Sequence, residues 1–324
     1  MNDATPARRA AVLRAWRDTL KADAASDDED FFAAGGNSIL VVAFQRRLSE
    51  ALGHRVTLRQ IHDHPTVGGL LGLTAPPSSG TASAAPDDGG APGLTLYCLP
   101  YAGASARIYE PWAAKLPPTV TVRPLELPGR GARWTDPPAR ELGALLTDLA
   151  GAMDEARQAP YAVFGHSFGG ILAYELTRHL LAHGFPAPRR LLVSACLAPH
   201  DATPAETNHD LPDAELTARL RALRGTPEEL LSNPELMELY LPVIRADYTI
   251  LDHYRAPAAD PLDCPVSVFC GADDREADRA AADAWTKYTH AAVTVEEIDG
   301  DHFFLRDHED AFLARLAAHL VTGP

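Results

Sequence analysis

The sequence predicts two domains of different class: a small all-helical domain, then an α/β domain whose mostly parallel sheet is flanked by helices and interrupted by a helical lid. Three observations carry this. Up to residue 74 apolar residues recur only at helical spacing; residues 75–92 carry no apolar periodicity; and from residue 93 six β-rich runs alternate with amphipathic stretches. At 324 residues the chain has room for two unequal domains.

The N-terminal segment, residues 1–74, opens on Thr5 and Pro6, an N-cap followed by a first-turn proline, and Val12, Leu13, Trp16 and Leu20 follow on one helical face. A second helix should begin at Ser38 and bury Leu40, Ala43, Phe44 and Leu48, and "HPTVGGLLGL" suggests a short last one. Three or four helices in about 70 residues form a minimal core, which seldom does chemistry alone. Residues 75–92, "APPSSGTASAAPDDGGAP", read as a flexible linker. Such a tether has an r.m.s. span of roughly 23 Å if Gly/Ser-like and reaches about 60 Å when drawn out.

In the segment 93–324, "LTLYCLP" (94–100), "TVTVRPL" (119–125), "YAVFG" (161–165), "RLLVSAC" (190–196), "PVSVFCG" (265–271) and "AVTVEEI" (292–298) are strand candidates. Between 199 and 257 there is none. Instead "AELTARLRAL" and "ELMELYLPVIRADYTILDHY" have amphipathic helical patterns, so an insertion at about 200–256 should form the lid.

The net charge of −15 argues against a surface that tracks nucleic-acid or lipid phosphates. The first 74 residues hold nine basic and nine acidic side chains, so the negative charge lies beyond them. No signal-peptide core and no apolar run of bilayer length occurs, which leads us to expect a cytoplasmic protein without membrane contact. Cys98, Cys196, Cys264 and Cys270 lie in apolar runs without Cys-x-x-Cys spacing and read as buried free thiols; no metal site is expected.

"YAVFGHSFGG" places a Gly-x-Ser-x-Gly motif between a strand and the helical run "ILAYELTRHLL". Small residues at Gly165 and Gly169 let the backbone turn sharply around Ser167, projecting its hydroxyl into a cleft. A serine hydroxyl is a poor nucleophile until a base takes its proton, and in this architecture the order along the chain is Ser, acid, His. His302 follows the last strand candidate and Asp274 the one before it, so both should emerge at the sheet edge that carries Ser167. Asp273 is the competing acid, and Asp274 is favoured by its Gly-x-x-Asp spacing. Donors for the developing oxyanion are expected from the backbone N–H of Phe168 and from Ala102, in the loop after the first strand. His166 reads as a packing residue of the turn, because neighbours on a tight turn point apart.

Six stretches in order, "CLPYAGASARIYEPW", "ELPGRGAR", "FGHSFGGILAYEL", "LPVIRADYTILDHY", "CPVSVFCGADD" and "DGDHFFL", resemble the type II thioesterases of nonribosomal peptide and polyketide synthesis. The resemblance implies an α/β-hydrolase fold, a Ser-His-Asp triad of Ser167, His302 and Asp274, and hydrolysis of acyl or aminoacyl thioesters on carrier domains. Tyr101 departs from the pattern, which often has histidine there. Residues 6–74 resemble peptidyl carrier domains through "DFFAAGGNSI", with Asn37 where histidine or aspartate is commoner. That resemblance implies a four-helix carrier whose Ser38 bears 4′-phosphopantetheine, attached by a phosphopantetheinyl transferase and loaded by an adenylation enzyme or another synthetase or synthase protein. A serine at a helix start suits an ester phosphate, since free N–H groups and the positive dipole end lie there. The combined expectation is a carrier–thioesterase didomain that hydrolyses carrier-bound aminoacyl, peptidyl or acyl thioesters, in cis from Ser38 or in trans. Two alternatives stay open: release by cyclisation or transfer at the same site, and a carrier and docking module in which the hydrolase domain is only scaffold.

Overall fold

A computed structural model describes residues 6–321 apart from 23, 25, 32–33, 35–39, 55, 58–59, 62–63, 74–92, 203–206 and 259. Contacts divide the chain into two units, Met1–Asp88 and Gly89–Pro324. Thr5, Ser38 and the linker 75–92 lie outside the described residues.

In the first unit α1 spans Pro6–Leu20, α2 Leu40–Leu52 and α3 Val67–Leu71, with a further helical turn at residues 60–61. Their apolar faces meet around three aromatic rings. Phe31 and Phe44 stack at 4.4 Å, and Trp16 sets its edge against both at 5.6 and 6.0 Å. Val12, Trp16, Phe44 and Leu48 are fully buried, whereas Leu13, Leu20 and Leu40 pack at the margin. Thr66 starts α3 as its N-cap, its hydroxyl accepting from the Gly69 N–H at 3.1 Å.

The second unit is a six-stranded, wholly parallel sheet: β1 Leu94–Leu99, β2 Val120–Pro124, β3 Tyr161–His166, β4 Arg190–Ser194, β5 Val266–Gly271 and β6 Val293–Ile298, in the order β2-β1-β3-β4-β5-β6. Between them lie α4 (Leu142–Gly151), α5 (Phe168–Ala182), α6 (Asp213–Leu223), α7 (Glu228–Leu231), α8 (Pro234–His253) and α9 (Arg279–Asp283). The chain finishes with α10 (Phe304–Asp307) and α11 (Glu309–Val321).

Parallel strands covered on both faces read as continuous apolar runs, and every residue of β3 and β5 is buried. One face packs on α4 and α5 through Leu145, Leu149, Ile171 and Leu176, the other on α11 and the 3-10 helix Ala106–Ala114 through Phe312, Leu316, Tyr109 and Trp112. All six strand candidates form strands, with ends differing by one or two residues. β4 stops at Ser194 because Ala195 takes φ 46°, which turns the chain out of the ladder. The run 199–257 contains α6, α7 and α8 and, among its described residues, no strand. All four cysteines are buried and unpaired, and no described helix is long and apolar enough to cross a membrane.

Because the strands are parallel, the loops after β1, β3, β5 and β6 all leave the same edge of the sheet. In open α/β folds ligands bind at that edge.

Candidate active site

β3 runs straight into α5 through a one-residue turn at Ser167. Ser167 sits at φ 54°, ψ −119°, a conformation that a non-glycine residue holds only where its surroundings enforce it. Two glycines make the turn possible. A Cβ on Gly165 would lie 1.8 Å from the Gly169 carbonyl oxygen, and one on Gly169 would lie 2.2 Å from that of Leu99. The Ser167 N–H donates to the Ser194 carbonyl at 2.8 Å, tying the turn to β4.

His302 Nε2 lies 3.0 Å from Ser167 Oγ, and His302 Nδ1 lies 2.9 Å from Asp274 Oδ2. The other Asp274 oxygen accepts the N–H groups of Glu276 and Ala277 at 2.8 and 3.1 Å. Asp274 is 5% exposed, so its orientation is fixed by these partners. Asp273, its exposed neighbour, uses its N–H on the Gly300 carbonyl, and His302 hydrogen-bonds to Asp274.

Burial pushes the Asp274 carboxyl up, but the His302 hydrogen bond and charge, with the two N–H donors, hold it below the usual carboxylate value. His166 is fully buried, and that burial pushes it well below the ordinary histidine value, so it is a neutral ring; its Nδ1 meets Ser194 Oγ at 3.0 Å.

Ala102 and Phe168 line the same cavity as Ser167 and His302. Phe168 is the first residue of α5, so its N–H has no carbonyl four residues back within the helix and is available to a ligand. The cavity holds about 380 Å³, within the range of small-ligand sites. Much of its wall is apolar, with Ile171, Cys196 and Leu197 from the sheet side facing Leu220, Leu223 and Leu251 from the lid helices. The lid reaches across at Gly225, whose carbonyl lies 3.5 Å from the Tyr101 hydroxyl that donates to it.

Asp252 belongs to the same wall, with the N–H groups of Asn208 and His209 at 2.7 and 2.8 Å and His209 Nδ1 at 2.7 Å. Burial raises its carboxyl, yet the His209 and Asn208 contacts prevail and depress it. A depressed carboxyl contributes stability above its unfolded value, about 3.9, and that contribution is lost as pH falls through the folded value. Asp252→Asn should therefore melt below wild type at pH 7, with the gap closing below about pH 4. Melting temperatures across pH 3–7 check this; a pH-independent gap would count against it.

Two residues of the site's surroundings escaped the sequence reading: Arg130 and Asp247, a buried ion pair beside the Ala102 loop. No spacing singles them out: α8 also carries Glu238, Arg245 and Asp252, and Arg130 lies in a loop.

A serine at a strand-to-helix turn, with histidine and aspartate delivered by later loops of a parallel sheet, defines a serine hydrolase of the α/β-hydrolase class. Comparison with known proteins narrows this. The "Thioesterase domain" family model matches residues 94–320 and the "Phosphopantetheine attachment site" model residues 10–73. The chain belongs to the thioesterase family and carries a phosphopantetheine-binding carrier domain ahead of the hydrolase.

Among its relatives, "Linear gramicidin dehydrogenase LgrE" of Brevibacillus parabrevis is 38% identical over 71% of this chain and 88% of its own. "AMB antimetabolite synthetase AmbE" of Pseudomonas aeruginosa is 32% identical over 85% of this chain but only 13% of its own length. The solved structure of the RedJ thioesterase from the prodiginine pathway of Streptomyces coelicolor is 35% identical. It covers 75% of this chain and 91% of its own, with a TM-score of 0.67.

The protein is a thioesterase of natural-product biosynthesis of the type II kind, with covalently attached 4′-phosphopantetheine. Its carrier domain implies a phosphopantetheinyl transferase and synthetase proteins as partners. The carrier domain suits the cofactor. Phe31, in "DFFAAGGNSI", is buried in the aromatic core and donates its N–H to the Pro65 carbonyl at 2.9 Å, anchoring the stretch that leads to α2. The described part of α2 begins at Leu40, just after the signature serine.

Proposed function

We propose that the enzyme hydrolyses aminoacyl, peptidyl or acyl thioesters through an acyl-enzyme on Ser167, with the load carried on Ser38 of the same chain or on carrier domains of other proteins. The observation that carries this is the hydrogen-bonded series from Ser167 Oγ through His302 to Asp274, at 3.0 and 2.9 Å, opening into a cavity lined by Ala102 and Phe168.

When bound, 4′-phosphopantetheine supplies the thiol that holds the acyl group as a thioester. His302 Nε2 takes the proton as Ser167 Oγ attacks the carbonyl, and Asp274 keeps Nδ1 protonated and the ring aimed. The N–H groups of Phe168 and Ala102 bear the oxyanion. As the C–S bond breaks, His302 returns its proton to the departing sulfur. A water molecule, deprotonated by the same nitrogen, then cleaves the Ser167 ester, leaving a free carboxylic acid and restoring the serine. The apolar walls hold the acyl chain away from bulk water.

Residues 1–74 serve as the carrier, 75–92 as the tether and 93–324 as the hydrolase with its lid at about 200–256. We place the enzyme in the cytoplasm, where a separate adenylation enzyme or other synthetase loads Ser38.

Intact-protein mass tests this. Incubation with a broad-specificity phosphopantetheinyl transferase and an acyl coenzyme A should add the acyl-phosphopantetheine increment. The acyl mass should then be lost while free acid accumulates. An acyl increment that persists on the wild type overturns hydrolysis in cis, and a cyclised or transferred product in place of the acid overturns hydrolysis as the outcome.

A further inference from the structure

The loop that carries Ala102 is held in place by a buried ion pair that reaches it from the lid. Tyr101 to Ala104 form a turn closed by the Ala104 N–H donating to the Tyr101 carbonyl at 3.0 Å. Gly103 has φ +79°, the positive value that a type II turn requires at its third position. Its N–H donates to Asp247 Oδ2 at 2.7 Å. Asp247 is in turn gripped at both oxygens by Arg130, with Nη1 at 2.6 Å and Nη2 at 2.7 Å. Both side chains are almost completely buried, 5% and 2% exposed.

These contacts fix the direction of one N–H. In a planar trans peptide the N–H of Ala102 points opposite to the carbonyl of Tyr101. The turn's closing hydrogen bond fixes that carbonyl, and the Gly103 bond to Asp247 fixes the next peptide plane. The orientation of the Ala102 N–H then has little freedom left. Crowding adds to this: Tyr240 and Ile244 of α8 stand 2.6 and 2.7 Å from where a Gly103 Cβ would be. Asp247, Tyr240 and Ile244 all belong to the lid helix α8, whereas Arg130 belongs to the segment after β2.

We propose that Asp247, held by Arg130, is a positioning residue for the oxyanion site, so that the Ala102 N–H is correctly aimed only while the lid helix is seated against the Tyr101–Ala104 turn. The proposal rests on the assignment of Ala102 as an oxyanion donor made above. It gives the lid a part in the chemical step as well as in shaping the acyl chamber. A bidentate buried pair suits this part, because a carboxylate engaged on both oxygens presents Oδ2 to Gly103 in a single orientation.

The test uses the full chain, a soluble acyl pantetheine thioester and an alkyl boronic acid that forms a tetrahedral adduct on Ser167. Removing one member would strand a buried charge, so the principal variant is the double replacement Arg130→Met with Asp247→Leu, which removes both charges at similar volume. It should melt cooperatively and lower kcat by about 10²–10³-fold, the scale of a lost oxyanion donor, with KM within a few-fold. Boronate affinity should fall in parallel with kcat, while affinity for the product carboxylate holds. Arg130→Met with Asp247→Asn leaves no unpaired charge, keeps an acceptor for Gly103 and should recover most of the loss.

A cooperatively folded double variant with kcat within about three-fold of wild type overturns the proposal. So does a variant that fails to fold, or one whose kcat, KM and product affinity all deteriorate together, since the pair would then be structural only. Ser167→Ala run alongside separates the two levels: if it still cleaves, the Ser167 mechanism falls and this proposal with it; if it is dead while the double variant is active, only this proposal falls.

Discussion

Ser167→Ala is expected to hold its acyl load: after transferase and acyl coenzyme A treatment the acyl increment should remain through a time course in which the wild type sheds it. The loss in kcat should be on the order of 10⁶-fold, because serine and histidine of a triad act as one unit and what remains comes from the oxyanion site and binding. The geometry supports treating them as a unit. Ser167 Oγ has His302 Nε2 as its proton acceptor at 3.0 Å, and Gly165 and Gly169 permit the tight turn that presents the hydroxyl to it. His166, next in the chain, is turned inward onto Ser194 and cannot stand in. His302→Ala and the combined Ser167→Ala/His302→Ala variant should accordingly be no more than marginally different from Ser167→Ala. Intact-mass time courses for the three variants decide this. Release by Ser167→Ala at more than a percent of the wild-type rate would require another nucleophile, such as a water activated by His302.

The strands were legible because a parallel sheet buried on both faces writes itself as uninterrupted apolar runs, and the lid because its helices interrupt those runs for more than fifty residues. The end of β4 was not, because nothing in "RLLVSAC" announces the positive φ of Ala195. The choice between Asp273 and Asp274 rested on spacing alone; what distinguishes them physically is burial and the two N–H donors on Asp274, which only the fold supplies. The Arg130–Asp247 pair lay beyond pattern reading altogether. Its members are 117 positions apart, and each belongs to a segment whose own periodicity gives it no special standing. Pairing over such a distance depends on how the lid helix settles on the loops, which is a property of packing. Ser38 shows the opposite case: its assignment is carried by local sequence alone, in the stretch that follows the buried Phe31.

Ser38→Ala should separate carriage from catalysis. The variant should gain no phosphopantetheine increment and release no acid from acyl coenzyme A plus transferase, yet hydrolyse a soluble acyl pantetheine thioester with unchanged kcat/KM. The difference follows from the tether. A linker of about eighteen flexible residues has an r.m.s. span of roughly 23 Å, which gives an effective concentration of carrier at the hydrolase in the millimolar range. With a separate, loaded carrier domain supplied at micromolar concentration, the same hydrolase should therefore work about 10²–10³-fold more slowly than in cis, provided the carrier is subsaturating. Shortening the linker 75–92 below the needed reach should abolish the cis advantage and leave the trans rate untouched, because tethering adds no contact of its own. An increment on Ser38→Ala would place the attachment on another residue. Equal rates in cis and in trans would mean that the fused carrier is not the hydrolase's own substrate, and that the load on Ser38 is destined for a partner synthetase.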